Sequence, residues 1–524
     1  MTTGQGRTRV LIAGGGVAGL EALLALSTLA SDLVDVNLIC PDDEFVFRPM
    51  LVAEPFGVAE VLRLDLSQVV AEAGAGQIKD ALASVDPAAR TVATAGGKSL
   101  AYDALIVAVG ARPVDAVPGA LTFSGVDERR RFGEMLRALG RRGAKRLGFV
   151  VPRGVSWSIA AYELALLTAA ERDVRRIPGV ELVVVTHESA PLEALGPAAS
   201  QLVAARLDEA GISVETGREA ERVKGRELVL ASGEVLEAMG FVALPTLEVG
   251  PIPDLPQRNG GFVQTDSRMQ VAGLESVWAA GDVTWFPVKQ GGLAAQQADA
   301  AARAVAAAAG AHVPVEPFQP VLRAALITGG TPDFMRTDLP DRESGSASIG
   351  RGLWWPPTKV AGKYLGPYIA GRIGEEPGSD ELVDLPLPQD PAADAEEHRL
   401  ATSLVLAAAD ADAAADDFEG SLKWLAFAEE LDFVLPSRYV TRRYEWRRKV
   451  DPSIDVDDAA ARIDPTFESA EAAMRDLERR LGWMRELERY TEGEMREHLS
   501  DLDGGMEQLR ALTKRAGVFK RAPD

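Results

Sequence analysis

Gly14-Gly15-Gly16-Val17-Ala18-Gly19 stands between an apolar run, Arg9-Val10-Leu11-Ile12-Ala13, and a stretch rich in leucine and alanine, Leu20-Glu21-Ala22-Leu23-Leu24-Ala25-Leu26. The first run suits a buried strand and the second a helix, so the order reads strand, glycine turn, helix. In such a unit the first glycine permits the tight turn, the second lets a pyrophosphate approach the backbone, and the third lets helix and strand pack closely. The helix then points the unpaired N–H groups of its N-terminus at the phosphates. Those three positions are Gly14, Gly16 and Gly19, and a bound dinucleotide is the expectation. Glycines alone would also suit a bare turn; the strand before and the helix after argue for a ligand.

The rest of the chain bounds what that ligand can serve. At 524 residues, 47% hydrophobic and 26% charged, the composition is that of a globular protein of several domains. A net charge of -22 opposes nonspecific encounters with nucleic acid and with anionic membranes. No apolar run approaches the roughly 20 residues of a membrane span, and Met1 to Arg9 lacks an apolar signal core, so a cytoplasmic location is expected, with peripheral membrane contact left open. Cys40 is the single cysteine, which excludes an internal disulfide and a redox-active dithiol. His187, His312, His398 and His498 are scattered, and no cluster has the spacing of a metal site.

Apolar strands alternate with alanine-rich helical stretches from Arg7 to about Ala309, as in doubly wound α/β structure. Strands end in turn signals at Leu105 to Gly110, Leu147 to Val151, Leu182 to Thr186 and Ser276 to Gly281. After His312 the pattern turns irregular, through Leu322 to Gly329 and Trp354-Trp355-Pro356-Pro357, before an acidic, Pro-rich stretch from Glu375 to Asp394. From Ala395 the composition is helical: residues 411–430 read as one hairpin of the tetratricopeptide type. Phe467, Ala470, Met474, Leu477, Leu481, Met484 and Leu487 form a stripe that packs on the body of the chain, within the module or on a second chain. The basic and aromatic stretch from Arg438 to Lys449 is either a contact surface for acidic protein, lipid head groups or RNA or a solvated face that balances an acidic chain, the second being favoured.

Two distant stretches accompany the glycine turn. One is Tyr102-Asp103-Ala104-Leu105-Ile106-Val107-Ala108-Val109-Gly110-Ala111-Arg112-Pro113; the other is Ser276-Val277-Trp278-Ala279-Ala280-Gly281-Asp282-Val283, followed by Lys289-Gln290-Gly291-Gly292-Leu293-Ala294-Ala295-Gln296. With them the chain resembles the FAD-dependent pyridine nucleotide-disulfide oxidoreductase superfamily. Within it, the resemblance is to the type II NADH dehydrogenase and sulfide:quinone oxidoreductase branch, without the redox cysteines. It runs from about Arg7 to Ala370. It implies an α/β fold with two Rossmann-like dinucleotide-binding domains, the FAD domain discontinuous, and leaves the C-terminal α-helical module as an addition. The expected boundaries are 1–115 and 246–310 for the FAD domain, 116–245 for an NAD(P)-binding-like domain, 311–380 for an interface segment, 381–394 for a linker and 395–524 for the helical module.

Carried over residue by residue, the resemblance puts Gly14, Gly16, Val17, Ala18 and Gly19 at the FAD pyrophosphate, and Gly110 and Arg112 beside the cofactor. It puts Asp282, after Gly281, at the ribityl or pyrophosphate region, Arg48 and Pro49 as neighbours of the flavin, and Lys289, Gln290 and Gly291 at the isoalloxazine. A carboxylate such as Asp282 accepts hydroxyl hydrogen bonds, while an ammonium and a helix N-terminus favour negative charge on a reduced ring. Asp282 as a turn cap and Lys289 as a solvated charge are the alternatives.

Two departures stand out. At the end of the second strand, where such proteins carry an acid for the adenosine ribose, the residue is Cys40; Asp42 or Asp43 then reaches the ribose, or the contact is missing. Cys40 itself reads as a small buried hydrophobe. In the middle domain the expected second glycine turn is Pro152-Arg153-Gly154-Val155-Ser156-Trp157-Ser158, with one glycine. NAD(P)H then binds by a modified turn, using Arg153 as an anion partner, Ser156 or Ser158 as a cap and Glu188, after the next strand, for a ribose, or that site has been lost. Trp157 reads as packing beneath the domain. The aromatic segment Trp354 to Tyr368 either builds an acceptor pocket or seals the C-terminal segment onto the FAD domain, the second being favoured.

Residues and resemblance together imply an FAD-dependent two-electron oxidoreductase, taking electrons from NAD(P)H and passing them to a small acceptor such as a quinone. The helical module is a candidate mediator of an oligomer or a protein partner. Two other classes stay open: a flavoenzyme with a different donor or a protein electron partner, and a non-catalytic FAD-bound scaffold or regulatory protein.

Overall fold

In the computed structural model the described residues are 6–58, 61–124, 126–138, 146–174, 179–329, 332–339, 345–349, 352–372, 382–385, 404–430, 437–451, 467 and 472–477. The opening run forms strand β1 (Thr8–Ala13), and the glycine turn leads into helix α1 (Val17–Ala30). Strands β2 (Val34–Ile39), β3 (Gly76–Ile78) and β4 (Ala104–Val107) follow, separated by an antiparallel three-stranded insertion over Leu82–Asp86, Thr91–Thr94 and Ser99–Ala101. All four residues of β4 are buried, as befits a strand covered on both faces of a parallel sheet.

The chain then leaves this sheet and builds a second one from β5 (Leu121–Thr122), β6 (Arg146–Val151), β7 (Glu181–Thr186), β8 (Ile212–Glu215) and β9 (Phe241–Ala243). Its strand order is β5-β9-β6-β7-β8, every pairing parallel. Helices α2 (Ile159–Val174) and α3 (Pro197–Glu209) connect its strands. An antiparallel ribbon, Arg112–Val114 against Thr246–Glu248, marks the exit and the return. Back in the first sheet, β10 (Val277–Ala279) pairs with β4 and completes the parallel order β10-β4-β1-β2-β3. The strands expected from the apolar runs are all present, and both sheets are of the doubly wound kind.

Helix α4 (Gly291–Ala308) packs along α1. Ala294, Ala298, Ala301 and Ala302 face Leu20, Leu23 and Leu26 in one buried cluster, and the short side chains let the helix axes approach closely. The same cluster takes in Val360, Tyr364, Leu365 and Ile369, the last two on helix α5 (Leu365–Arg372). Trp354 is fully buried and its indole donates to the carbonyl of Thr358 at 3.2 Å.

By its contacts the chain forms two compact units: Met1–Ala325 with Met335–Ser346 and Leu353–Leu385, and Leu326–Phe334 with Ala347–Gly352 and Pro386–Asp524. In the second, helical residues 404–414 pair with α6 (Phe418–Glu430), followed by α7 (Ser437–Val450). Leu404, Val405, Leu422, Trp424, Phe427, Trp446, Met474 and Leu477 form its core. Phe467 packs on Trp424 with ring centroids 4.4 Å apart and the rings tilted by 59°. The described members of the apolar stripe therefore pack within their own module, while Ala470, Leu481, Met484 and Leu487 lie outside the described residues. On α7, Arg442 pairs with Asp410 at 2.5 Å and Arg448 and Lys449 face solvent. The stretch 375–394 is described only over 382–385.

Candidate active site

The glycine turn is shaped by backbone approach. Gly14 has φ +118°, and a Cβ there would lie 2.2 Å from the carbonyl oxygen of Ala108; a Cβ on Gly19 would lie 1.8 Å from that of Gly14. Any side chain at either position would force strand and helix apart. Gly16 differs: a Cβ there would meet nothing within 4 Å. It is the N-cap of α1, and no side chain caps the first turn, so the helix presents free N–H groups over open space. Gly281, with φ +82°, closes on the same place, its Cβ direction 3.0 Å from the Cβ of Ala18. The turn thus has room for an anion and the donors to hold one.

Asp282 follows on a short 3₁₀ turn whose amide at Gly281 donates to Gln297 Oε1 at 2.8 Å. Burial pushes the Asp282 carboxyl up, against the pull of Lys289 and Arg48. Burial pulls the Lys289 ammonium down to about 8, with Asp282 opposing. Its Nζ donates to the carbonyl of Thr284 and stands 4.1 Å over the Phe262 ring. Gln290 is committed twice: its Oε1 caps α4 by accepting from the Leu293 amide at 2.9 Å, and its Nε2 donates to the carbonyl of Arg323 at 2.7 Å. Gly291 sits against Val360, whose Cγ2 a Cβ would meet at 2.7 Å.

These residues line a cavity of about 300 Å³. Arg48, Pro49, Asp282, Lys289, Gln290 and Gly291 form one side, and Trp157, Ala160, Glu163, Pro245 and Leu247, from the second sheet and its connections, form another. Trp157 thus faces the cavity, in contrast to the packing role expected for it. The cavity also holds a pair that sequence reasoning missed: Lys359 Nζ lies 2.7 Å from both carboxylate oxygens of Glu163 and 3.1 Å from the carbonyl of Pro49. Their side chains are 10% and 1% exposed. A carboxylate amid Ile159-Ala160-Ala161-Tyr162-Glu163-Leu164-Ala165 was the available signal, since a charge on an apolar helix face needs a partner. Nothing in the sequence links it to a lysine 196 residues away.

Gly110, with φ +70°, and Arg112 stand at the exit from the first sheet. Ala111 and Pro113 line the cavity, while Arg112 turns to an exposed ion pair with Glu248 at 3.0 Å. Cys40 is buried against the turn, where a Cβ on Gly15 would meet its Sγ at 2.6 Å, and burial pushes its thiol up. Both observations agree with a small hydrophobe. Asp43 pairs with Lys79, and Asp42 accepts from the Cys40 thiol at 3.8 Å.

The candidate NAD(P)H contacts are not gathered into one open site. Glu188, at the end of β7, is buried and accepts from Ser158 Oγ at 2.8 Å, Tyr162 Oη at 2.5 Å and Thr186 Oγ1 at 2.9 Å. Burial and the neighbouring carboxylate push the Tyr162 phenol up, keeping it a donor. Arg153 pairs with Glu219 at 3.0 Å at the surface, and Ser156 is half-buried between them in sequence.

The family model for pyridine nucleotide-disulphide oxidoreductases matches residues 8–308, which span both sheets. The chain belongs to this family. It is 26% identical over 298 residues to an NADH dehydrogenase-like protein of Mycobacterium tuberculosis, covering 53% of this chain and 72% of that protein. It is 24% identical over 302 residues to the demethylphylloquinone reductase of Synechocystis, with the same coverages, 53% and 72%. The fold is similar to that of the sulfide:quinone oxidoreductase of Aquifex aeolicus, with a TM-score of 0.59 at 19% identity over 73% of this chain and 98% of that one. The protein is an FAD-dependent oxidoreductase of the family. Among the described residues, no helix is long and apolar enough to cross a membrane.

Proposed function

We propose that this oxidoreductase passes two electrons from NAD(P)H through FAD to a small acceptor such as a quinone. The observation that carries the proposal is the cavity of about 300 Å³, which Asp282 and Lys289 line together with Trp157 and Glu163 of the second sheet's connections and Lys359 of the C-terminal segment. Residues 1–115 and 246–310 would hold FAD, 116–245 would carry the donor side and 311–380 would close the acceptor side. The open direction at Gly16 and the uncapped first turn of α1 fit the pyrophosphate; Asp282 suits a hydroxyl-bearing ribityl chain. Bound there, FAD supplies the two-electron chemistry.

The chain's own residues provide position and charge. Lys289 and the α4 N-terminus set a positive potential at one end of the cavity. The Lys359–Glu163 pair keeps a proton donor and a carboxylate side by side in a cavity that Trp157, Pro245 and Leu247 also line. The proposed setting is the cytoplasm, with peripheral contact to a membrane where the acceptor is lipid-soluble, and the helical module is proposed to meet a second copy or a protein partner.

A second reading, a donor other than a nicotinamide dinucleotide, is favoured by Glu188, whose carboxylate is already filled by three hydroxyls of its own chain. Anaerobic mixing with NADH and NADPH separates the two. Prompt bleaching of the flavin spectrum, then recovery on adding a quinone, supports the first; a spectrum that stays oxidised while the bound flavin photoreduces refutes it. A colourless protein that takes up no FAD refutes both.

A further inference from the structure

Glu21 is an acid in an otherwise apolar helix, and nothing in the glycine turn requires it. It is fully buried on α1, the helix whose N-terminus borders the open space at Gly16. Its Oε1 accepts from the backbone N–H of Tyr364 at 2.9 Å and its Oε2 from that of Leu365 at 2.8 Å. These amides open helix α5, where unpaired N–H groups and the helix dipole favour a carboxylate. A Cβ on Gly362 would lie 2.6 Å from Glu21 Oε2, so the segment meets the carboxylate at a glycine.

The segment that Glu21 holds is the one that enters the cavity. Five residues before Tyr364 is Lys359, whose ammonium bridges the Glu163 carboxylate on α2 and the carbonyl of Pro49. Between them, Val360 is buried against Gly291 at the start of α4. Further on, Tyr368 donates to Glu72 at 2.7 Å and Arg372 pairs with the same carboxylate, both at an exposed edge where the contact is worth little. The strap from Thr358 to Leu365 is therefore fixed at its buried ends by two carboxylates, Glu21 from the first sheet's helix and Glu163 from the second's.

We infer that Glu21 is a positioning residue: by holding the amides of Tyr364 and Leu365 it fixes the strap and, through it, the Lys359 ammonium on Glu163 in the cavity. The inference rests on FAD occupying that cavity. Released from Glu21, the strap loses two charge-assisted hydrogen bonds at one end, and Lys359 is no longer delivered to a carboxylate that is itself 1% exposed. A buried carboxylate without its ammonium takes up a proton nearer neutral pH. Loss of Glu21 thus changes the charge of the cavity without touching any residue that lines it.

The test compares the full chain with its Glu21→Gln, Gly362→Ala, Lys359→Met and Glu21→Gln/Lys359→Met variants, each with and without FAD. Glutamine keeps one acceptor and turns an amide toward the other N–H; Gly362→Ala presses on the same carboxylate from the strap, and serves if Glu21→Gln does not fold. Hydrogen exchange at Tyr364 and Leu365, compared at about pH 8.5 where the Glu21 carboxylate is ionised, is expected to quicken about tenfold in Glu21→Gln, the loss of one charge-assisted bond. The pH dependence of the visible flavin spectrum is expected to differ from that of the wild type by an added titration between about pH 5 and 8 in Glu21→Gln and Lys359→Met. The double variant is expected to show the same titration as Lys359→Met. Unchanged exchange, quicker exchange with a flavin spectrum that titrates as in the wild type, or effects of the two substitutions that simply add would each overturn the inference. A wild-type chain that binds no FAD refutes the functional reading, and the exchange measurement still decides whether Glu21 holds the strap.

Discussion

Adding one methyl group at Gly16 and one at Gly19 should separate binding from folding. At Gly19 the new Cβ would stand 1.8 Å from the Gly14 carbonyl oxygen, a backbone atom that cannot move without opening the turn. Overpacking of that kind costs about 3 kcal/mol or more, which in a unit this large lowers Tm by about 6 °C or more. At Gly16 the backbone is extended, φ -81° and ψ -168°, and the Cβ would meet nothing within 4 Å. Alanine is allowed there and should leave the apoprotein's Tm unchanged or slightly raised, by up to about 1 kcal/mol of lost unfolded-state entropy. The methyl group would occupy the space over the first turn of α1. Displacing one charge-assisted hydrogen bond between backbone and phosphate costs about 1.5–3 kcal/mol, so FAD should bind roughly 10- to 150-fold more weakly to Gly16→Ala. Thermal unfolding of the apoproteins and fluorescence titration with FAD read the two quantities separately. A Gly16→Ala protein that binds FAD within about threefold of the wild type would refute the assignment of the pyrophosphate to this turn; one that melts as early as Gly19→Ala would refute the account of the space around it.

Lys359→Met should destabilise the fold by about 3–5 kcal/mol, because it leaves the Glu163 carboxylate buried without its ammonium, and Glu163→Leu in the same chain should recover much of that loss; denaturant melts of the single and double variants check it. Burial raises the Glu21 carboxyl from 4.5 to about 7, so the folded state binds more protons than the unfolded chain between those values, and the stability contributed by protonated Glu21 falls as pH rises through that window, by about 3 kcal/mol in all. Glu21→Gln should flatten that part of the stability–pH curve; an unchanged slope would assign it to another group. Glu188→Ala strips three hydroxyls of their acceptor and should cost several kcal/mol of stability, at about 1–3 kcal/mol for each one left unsatisfied. If the second reading of the donor holds, any NADH-linked flavin reduction should keep its wild-type KM in this variant, whereas a KM raised tenfold would put Glu188 on a ribose.

Much of the fold was legible because its signals are local. Val10 to Ala13, Leu105 to Val107 and Val183 to Val185 are short apolar runs ended by turn residues, and a parallel strand covered on both faces reads that way wherever it sits. The shape of the candidate site was legible where one backbone stretch carries it: Gly14 and Gly281 have positive φ, and Gly14 and Gly19 leave no room for a Cβ. Where chemistry depends on residues far apart, reading failed. Glu163 and Lys359 meet across 196 positions, and Trp157, alone in its loop, gave no sign that it faces a cavity. Glu188 shows the opposite limit. Its place at the end of β7 suggested a ribose acceptor, but Ser158, Tyr162 and Thr186 converge on it only after α2 has packed against the sheet.

The amino-acid sequence by itself therefore determined the doubly wound architecture, the glycine turn and the absence of dithiol chemistry, because backbone conformation, strand burial and a single cysteine are properties of short segments and of composition. Tertiary structure alone decided which charges share the cavity, which acid is already satisfied and which helix end Glu21 holds. Those are matters of ångström-scale approach between segments hundreds of residues apart, and at such distances burial and pairing, rather than residue type, set what a carboxylate or an ammonium does.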